Sequence, residues 1–95
     1  MYFERINEPE MKVDIISAER ILYSDEADAI IVPGSEGYLG ILPHHAPLMT
    51  AIKEGDITIR KDGVETNLTV TGGFMEVMDN TVTVLADELP LGSSS

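Results

Sequence analysis

The chain has 95 residues, 43% of them hydrophobic, no cysteine, and 17 acidic against 6 basic residues for a formal net charge of −11. That length holds one core and the apolar content is too high for an acidic disordered tail, while the lack of cysteine excludes disulfides, thiolate nucleophiles and cysteine-ligated zinc. A nucleic-acid backbone or an anionic lipid surface would repel so acidic a chain, so no nucleic-acid partner and no direct lipid binding are expected.

No apolar run approaches the roughly 20 residues of a membrane-spanning helix. Met1 to Glu10 is charged and contains Pro9, unlike the apolar centre of a signal peptide. Residues 1–11 are therefore expected to be an N-terminal extension or tag remnant ahead of a domain over 12–87. Residues 88–95, with Pro90, Gly92 and three terminal serines, read as an unfolded tail.

From Lys12, Val13 and Ile15 alternate with Lys12 and Asp14, the period-2 sign of a half-buried strand. Ser17, Ala18 and Glu19 read as a turn, and Ile21, Leu22 and Tyr23 as a short second strand. Ala27, Ala29 and Ile31 alternate with Asp28 and Ile30 in a third, expected to end at Pro33. Asp25, Glu26 and Asp28 suggest a metal site at first sight, but no glycine-centred calcium-loop spacing accompanies them and a solvated strand edge explains them better.

Pro33 to Leu48 carries three glycines and three prolines among apolar residues and both histidines of the chain, which predicts a shaped loop with restricted backbone choices. Core packing is expected for Leu42 and Leu48, whereas Tyr38, set between Gly37 and Gly40, is expected to be exposed as an interface anchor.

Leu48 to Ile52 is the next short strand, and Gly55 opens a hairpin whose Asp62-Gly63 dipeptide suits a type I′ turn. This turn sets Lys61 opposite Val64, Arg60 opposite Glu65, Ile59 opposite Thr66, Thr58 opposite Asn67 and Ile57 opposite Leu68. The expected inward row is Ile57, Ile59, Val64, Thr66 and Leu68. A second two-residue turn at Asp79-Asn80 sets Val77 opposite Val82 and Met75 opposite Val84. Short strands, frequent turns and no helix-period segment predict an all-β fold, a β-sandwich or flattened barrel of nine or ten strands.

The chemistry on offer is sparse. His44 and His45, as neighbours on an extended segment, point to opposite sides and lack a third ligand, so no metal is expected there. Ser17 and Ser35 sit in no nucleophile elbow, and Gly34, Gly37 and Gly40 lack the lysine and following helix of a phosphate loop. No catalytic residue and no cofactor are expected. A free-standing ligand-binding sandwich, with Tyr38 and the two histidines lining a pocket, and a metal-dependent enzyme stand as the alternatives to a binding module.

Gly34 to Leu48, reading G-S-E-G-Y-L-G-I-L-P-H-H-A-P-L, resembles the signature of the epsilon subunit of F-type ATP synthase. Thr50 to Gly55, Gly72 to Val77 and Val82 to Asp87 resemble the family's T-A-I-K-x-G, G-G-F-x-E-V and V-T-V-L-A-D in order and spacing. The resemblance implies a ten-stranded sandwich in a non-catalytic rotor subunit that joins the central gamma shaft to the polar loops of the c ring. It implies a place on the cytoplasmic face of the energy-transducing membrane. Carried over by motif, Ser17, His45, Met49 and Thr50 would face gamma, and Glu36, Gly37, Tyr38 and Leu39 the c ring. Two positions depart from the family pattern: His44 stands where glycine is usual, and Tyr38 where an acidic residue is frequent. Family members continue past the last motif into a helix pair that restrains ATP hydrolysis, which Glu88 to Ser95 is too short to build.

Overall fold

The computed structural model describes residues 10–88, so the expectations for the two termini concern residues largely outside that range. Nine strands and no helix occur among the described residues: β1 (Met11–Ile16), β2 (Ile21–Ala27), β3 (Ala29–Gly34), β4 (Gly37–Ile41), β5 (Leu48–Ile52), β6 (Gly55–Lys61), β7 (Val64–Val70), β8 (Gly72–Met78) and β9 (Thr81–Asp87). They join in one sheet in the order β2-β1-β9-β8-β5-β3-β6-β7, with β4 paired to β3. Only β1 and β9 run parallel; the other pairs are antiparallel. The sheet curls into a sandwich, and β6 comes beside β2, where Lys61 Nζ lies 3.0 Å from an Asp25 carboxylate oxygen.

Alternation builds the core. Val13 and Ile15 of β1, Met75 and Val77 of β8, and Val82, Val84 and Ala86 of β9 line one layer. Ile30, Val32, Ile41, Ile57, Ile59 and Val70 line the other, and no polar side chain is buried among the described residues. β1 begins at Met11, one residue before the expected boundary, because the Met11 side chain is itself in the core.

The two hairpin registers are those predicted from turn chemistry. Lys61 pairs with Val64 and Ile57 with Leu68, and Arg60 faces Glu65 with Nη2 2.7 Å from the carboxylate. Asp62 and Gly63 have φ of 52° and 79°, and Asp79 and Asn80 have 53° and 57°, the left-handed pairs of type I′ turns. One part of the expected inward row fails: Val64 is 65% exposed and Thr66 is also exposed. β7 is the last strand on its side of the sheet and overhangs the core, so its turn-proximal half has nothing to pack against.

Two further expectations are corrected. In β3, Ile30 and Val32 point inward and Ile31 is only half-buried, because the chain bends at Asp28 and shifts the phase. The Asp28 amide is bonded to the Arg60 carbonyl at 2.8 Å, and β3 then pairs Ile30 with Ile59. Pro33 to Leu48 is not one long loop. Ser35 and Glu36 turn between β3 and β4, so Pro33 lies inside a strand opposite Tyr38. Pro33 has no N–H to donate, and its carbonyl accepts from Lys53 N at 2.7 Å where β3 passes from β6 to β5.

Candidate interaction surface

The outer face of the β5-β8-β9-β1-β2 layer should be polar by simple alternation. Instead, pairing aligns Ala51 with Phe74, Phe74 with Leu85, Leu85 with Ile16 and Ile16 with Ile21. Phe74 is 43% exposed, Leu85 54% and Ile21 69%, so an apolar stripe crosses five strands in the open. Met49 and Met78 extend it on one side, exposed by 63% and 49%. Contiguous exposed apolar surface of this kind marks an interaction site. Sequence reasoning missed Phe74, Leu85, Ile21 and Ala51, although the predicted register of Met75 with Val84 already placed Phe74 and Leu85 together on the opposite face.

Residues expected to face gamma divide across β5. Met49 points out toward the stripe. Thr50 points to the other side, into a depression of about 430 Å³ lined by Ser35, Glu36, Gly37, Tyr38, Leu39 and Leu48 as well. Ser17 lies beside Ile16 at the far end of the stripe, and exposed His45 sits in the 42–47 connection. The structure thus groups Thr50 with Glu36, Gly37, Tyr38 and Leu39, and groups Met49 and Ser17 around the stripe.

Tyr38 is 63% exposed as predicted, and its hydroxyl lies over Gly55: a Cβ added to Gly55 would lie 3.0 Å from the Tyr38 hydroxyl and 3.2 Å from the Pro33 ring. Leu42 is 62% exposed, contrary to the core expectation, because β4 ends at Ile41 and the chain turns at once through Pro43 and His44. Leu48 is half-buried against the core.

Contrary to expectation, the histidines do not lie on an extended segment. His44 has φ of 66°, its N–H donates to Asn80 Oδ1 at 2.7 Å, and His45 Nδ1 is 2.7 Å from the Ala46 carbonyl. Neither lines the Tyr38 depression, which removes the arrangement required by the ligand-pocket alternative. The acidic residues also regroup: Asp28 meets Glu10 and Asp62, with one carboxylate oxygen from each within 4.8 Å of the others. Asp25 instead pairs with Lys61, which holds its carboxyl below the usual range, while a hydrogen bond shared with Glu26 pushes Glu10 up.

The description that fits this chain among protein families is the ATP synthase delta/epsilon chain beta-sandwich domain, matched over residues 10–91. The chain belongs to that family. It is 52% identical over 77 residues to the ATP synthase epsilon chain of Leptospira borgpetersenii, covering 81% of this chain and 61% of the relative. It is 51% identical over 75 residues to that of a Roseiflexus species, covering 79% and 54%. The chain therefore spans little more than half the length of these curated relatives. A chain of the Euglena gracilis mitochondrial ATP synthase, solved with OSCP, F1 and c-ring, superposes with a TM-score of 0.80 at 20% identity, over 98% of this chain and 61% of that one. One from the Tetrahymena thermophila central stalk and c-ring gives 0.70 at 18%, over 95% and 81%. At such identities these two likenesses concern the fold. His44 occupies a left-handed backbone position, with φ of 66°, of the kind that favours glycine.

Proposed function

We propose that the chain is the sandwich part of an ATP synthase epsilon-type rotor subunit, a non-catalytic module coupling the gamma shaft to the c ring during proton-driven ATP synthesis. It would act on the cytoplasmic face of the membrane and need no cofactor. The observation that carries this reading is the exposed stripe Ala51-Phe74-Leu85-Ile16-Ile21, which a family member of this size would bury against a partner. Its flanking residues, Met49 and Ser17, are two of the positions assigned to gamma by motif. His45 would extend that contact beyond Met49, whereas Thr50, also assigned to gamma by motif, opens into the Tyr38 depression on the other side of β5.

The Tyr38 depression is assigned to the c-ring loops, through Glu36, Gly37, Tyr38 and Leu39. Its rim carries a carboxylate and a phenol, and the chain's net charge of −11 would orient docking on basic loops. Torque passes through a close-packed core rather than a flexible linker.

The test is reconstitution. Added to membrane vesicles holding ATP synthase depleted of epsilon, the chain should restore ATP synthesis driven by a proton gradient, and Tyr38→Glu should weaken attachment to the c ring more than attachment to gamma. Failure of the parent chain to restore synthesis overturns the rotor reading, and equal loss of both contacts in Tyr38→Glu overturns the division of the surface.

A further inference from the structure

β1 and β9 run side by side as far as the pair Ile16 and Leu85, and there they part. β1 turns through Ser17, Ala18 and Glu19 toward β2, while β9 continues through Ala86 and Asp87. The fork between them is a depression of about 260 Å³ walled by Ile16, Ser17 and Ala18 on one side and Leu85, Ala86 and Asp87 on the other. It opens within the apolar stripe, between Leu85 and Ile16, and those two lining residues belong to the stripe.

Beyond the rim the two walls are tied together. Arg20 presents Nη2 to Glu88 Oε1 at 3.1 Å and Nε to Oε2 at 3.3 Å, and the Ser17 hydroxyl donates to Oε2 at 2.9 Å. Ser17 Oγ in turn accepts from the backbone N–H groups of Glu19 and Arg20, each at 3.3 Å. The same hydroxyl thus holds the carboxylate and organises the turn. The Glu88 side chain is only 15% exposed, which is low for a residue read from the sequence as the start of a tail. A two-point guanidinium contact plus a hydroxyl fixes direction as well as distance, unlike a single surface ion pair.

We propose that Ser17, Arg20 and Glu88 form a clasp that sets the spacing of the fork, so that Ile16 and Leu85 meet the partner as one rigid edge. The proposal rests on the stripe being the docking face. Ser17 then acts as a positioning residue: its hydroxyl donates to Glu88 at 2.9 Å, with the Arg20 carbonyl at 3.3 Å as the second acceptor within the same turn, and it shapes the rim rather than bonding the partner.

The experiment compares Arg20→Gln, Glu88→Gln and the charge-swapped pair Arg20→Glu/Glu88→Arg with the parent chain, by amide hydrogen exchange and by titration with purified gamma subunit. Each single variant retains Ser17 Oγ as acceptor, so exchange at Glu19 and Arg20 rises only if the clasp orders the turn. The expected result is a rise of roughly threefold or more at those two amides, with the β6–β7 hairpin unchanged and most of the effect recovered in the swapped pair. Gamma affinity should fall about twofold to fivefold in the singles, the range of an exposed ion pair, and recover in the swap. Unchanged exchange in both singles overturns the clasp. Raised exchange with unchanged affinity overturns its part in docking. Absence of gamma binding by the parent would be a failure of the docking-face reading, seen separately because the exchange arm decides the clasp without a partner.

Discussion

Gly73→Ala should be among the most damaging single changes available to this domain. Gly73 has φ of 146°, where side-chain-bearing residues are strained, and it pairs with Ala86 of β9. A Cβ there would fall inside contact distance of the Leu85 carbonyl oxygen and lie 3.0 Å from Ala86 Cα, both backbone atoms that no rotamer change can move. The backbone strain costs about 1–2 kcal/mol, and overpacking against a fixed ladder about 1–3 kcal/mol. Reduced freedom of the unfolded chain offsets about 0.4–1 kcal/mol. The net loss is about 1–4.5 kcal/mol, or roughly 5–30 °C in melting temperature for a domain of this size. Thermal melts followed by far-UV circular dichroism measure it, with Gly40→Ala as control, since nothing lies within 4 Å of a Cβ there. If Gly73→Ala melts within about 2 °C of the parent, the close approach of β8 to β9 is wrong, and with it the alignment of Phe74 with Leu85.

Gly63→Val meets no atom within 4 Å but must hold φ of 79°, so it should lose about 1–2 kcal/mol from backbone strain alone, measured by urea unfolding. His44→Gly should gain about 0.5–1 kcal/mol, because relief of the left-handed cost at φ of 66° exceeds the added chain entropy; a loss would show that the His44 ring has a packing role. In acid, the carboxyls of Glu88, Asp14 and Asp25 are held below their ordinary values by hydrogen bonds to Arg20 and Ser17, to Lys12 and Ser24, and to Lys61. Each contributes stability above its unfolded pKa and loses it as pH falls through the folded one, so melting temperature should drop below about pH 4.5, and Glu88→Gln with Asp25→Asn should flatten that drop. Added in excess to an epsilon-free catalytic head, the chain should leave ATP hydrolysis nearly unchanged while binding gamma, with strong inhibition at saturation as the contrary result.

Turn chemistry made the hairpins legible. Asp62-Gly63 and Asp79-Asn80 each leave few geometries, and every pair from Lys61–Val64 to Ile57–Leu68 followed from the first. What stayed hidden depended on neighbours distant in sequence. β4 was obscured because Gly37 and Gly40 break its alternation, and only pairing with β3 makes a strand of it. The phase of β3 depended on the bend at Asp28, whose amide bond goes to Arg60. Motif matching proposed Ser17 and Met49 one by one; the stripe between them required the strand order β5-β8-β9-β1-β2, which no local pattern encodes. Glu88 was likewise read as tail, since its partners Ser17 and Arg20 lie about seventy residues earlier.

Titration calorimetry of the chain against purified gamma subunit, with Phe74→Glu and Val64→Glu in parallel, shows whether the apolar stripe is the gamma-docking face. Phe74 lies mid-stripe and Val64 at the overhanging end of β7, both exposed, so both variants should fold. The parent chain should form a one-to-one complex, with affinity lowered at least about tenfold by Phe74→Glu through loss of an aromatic buried in the complex and burial of an unpaired charge, and unchanged by Val64→Glu. No complex with the parent, or equal loss in the two variants, would contradict the docking-face reading.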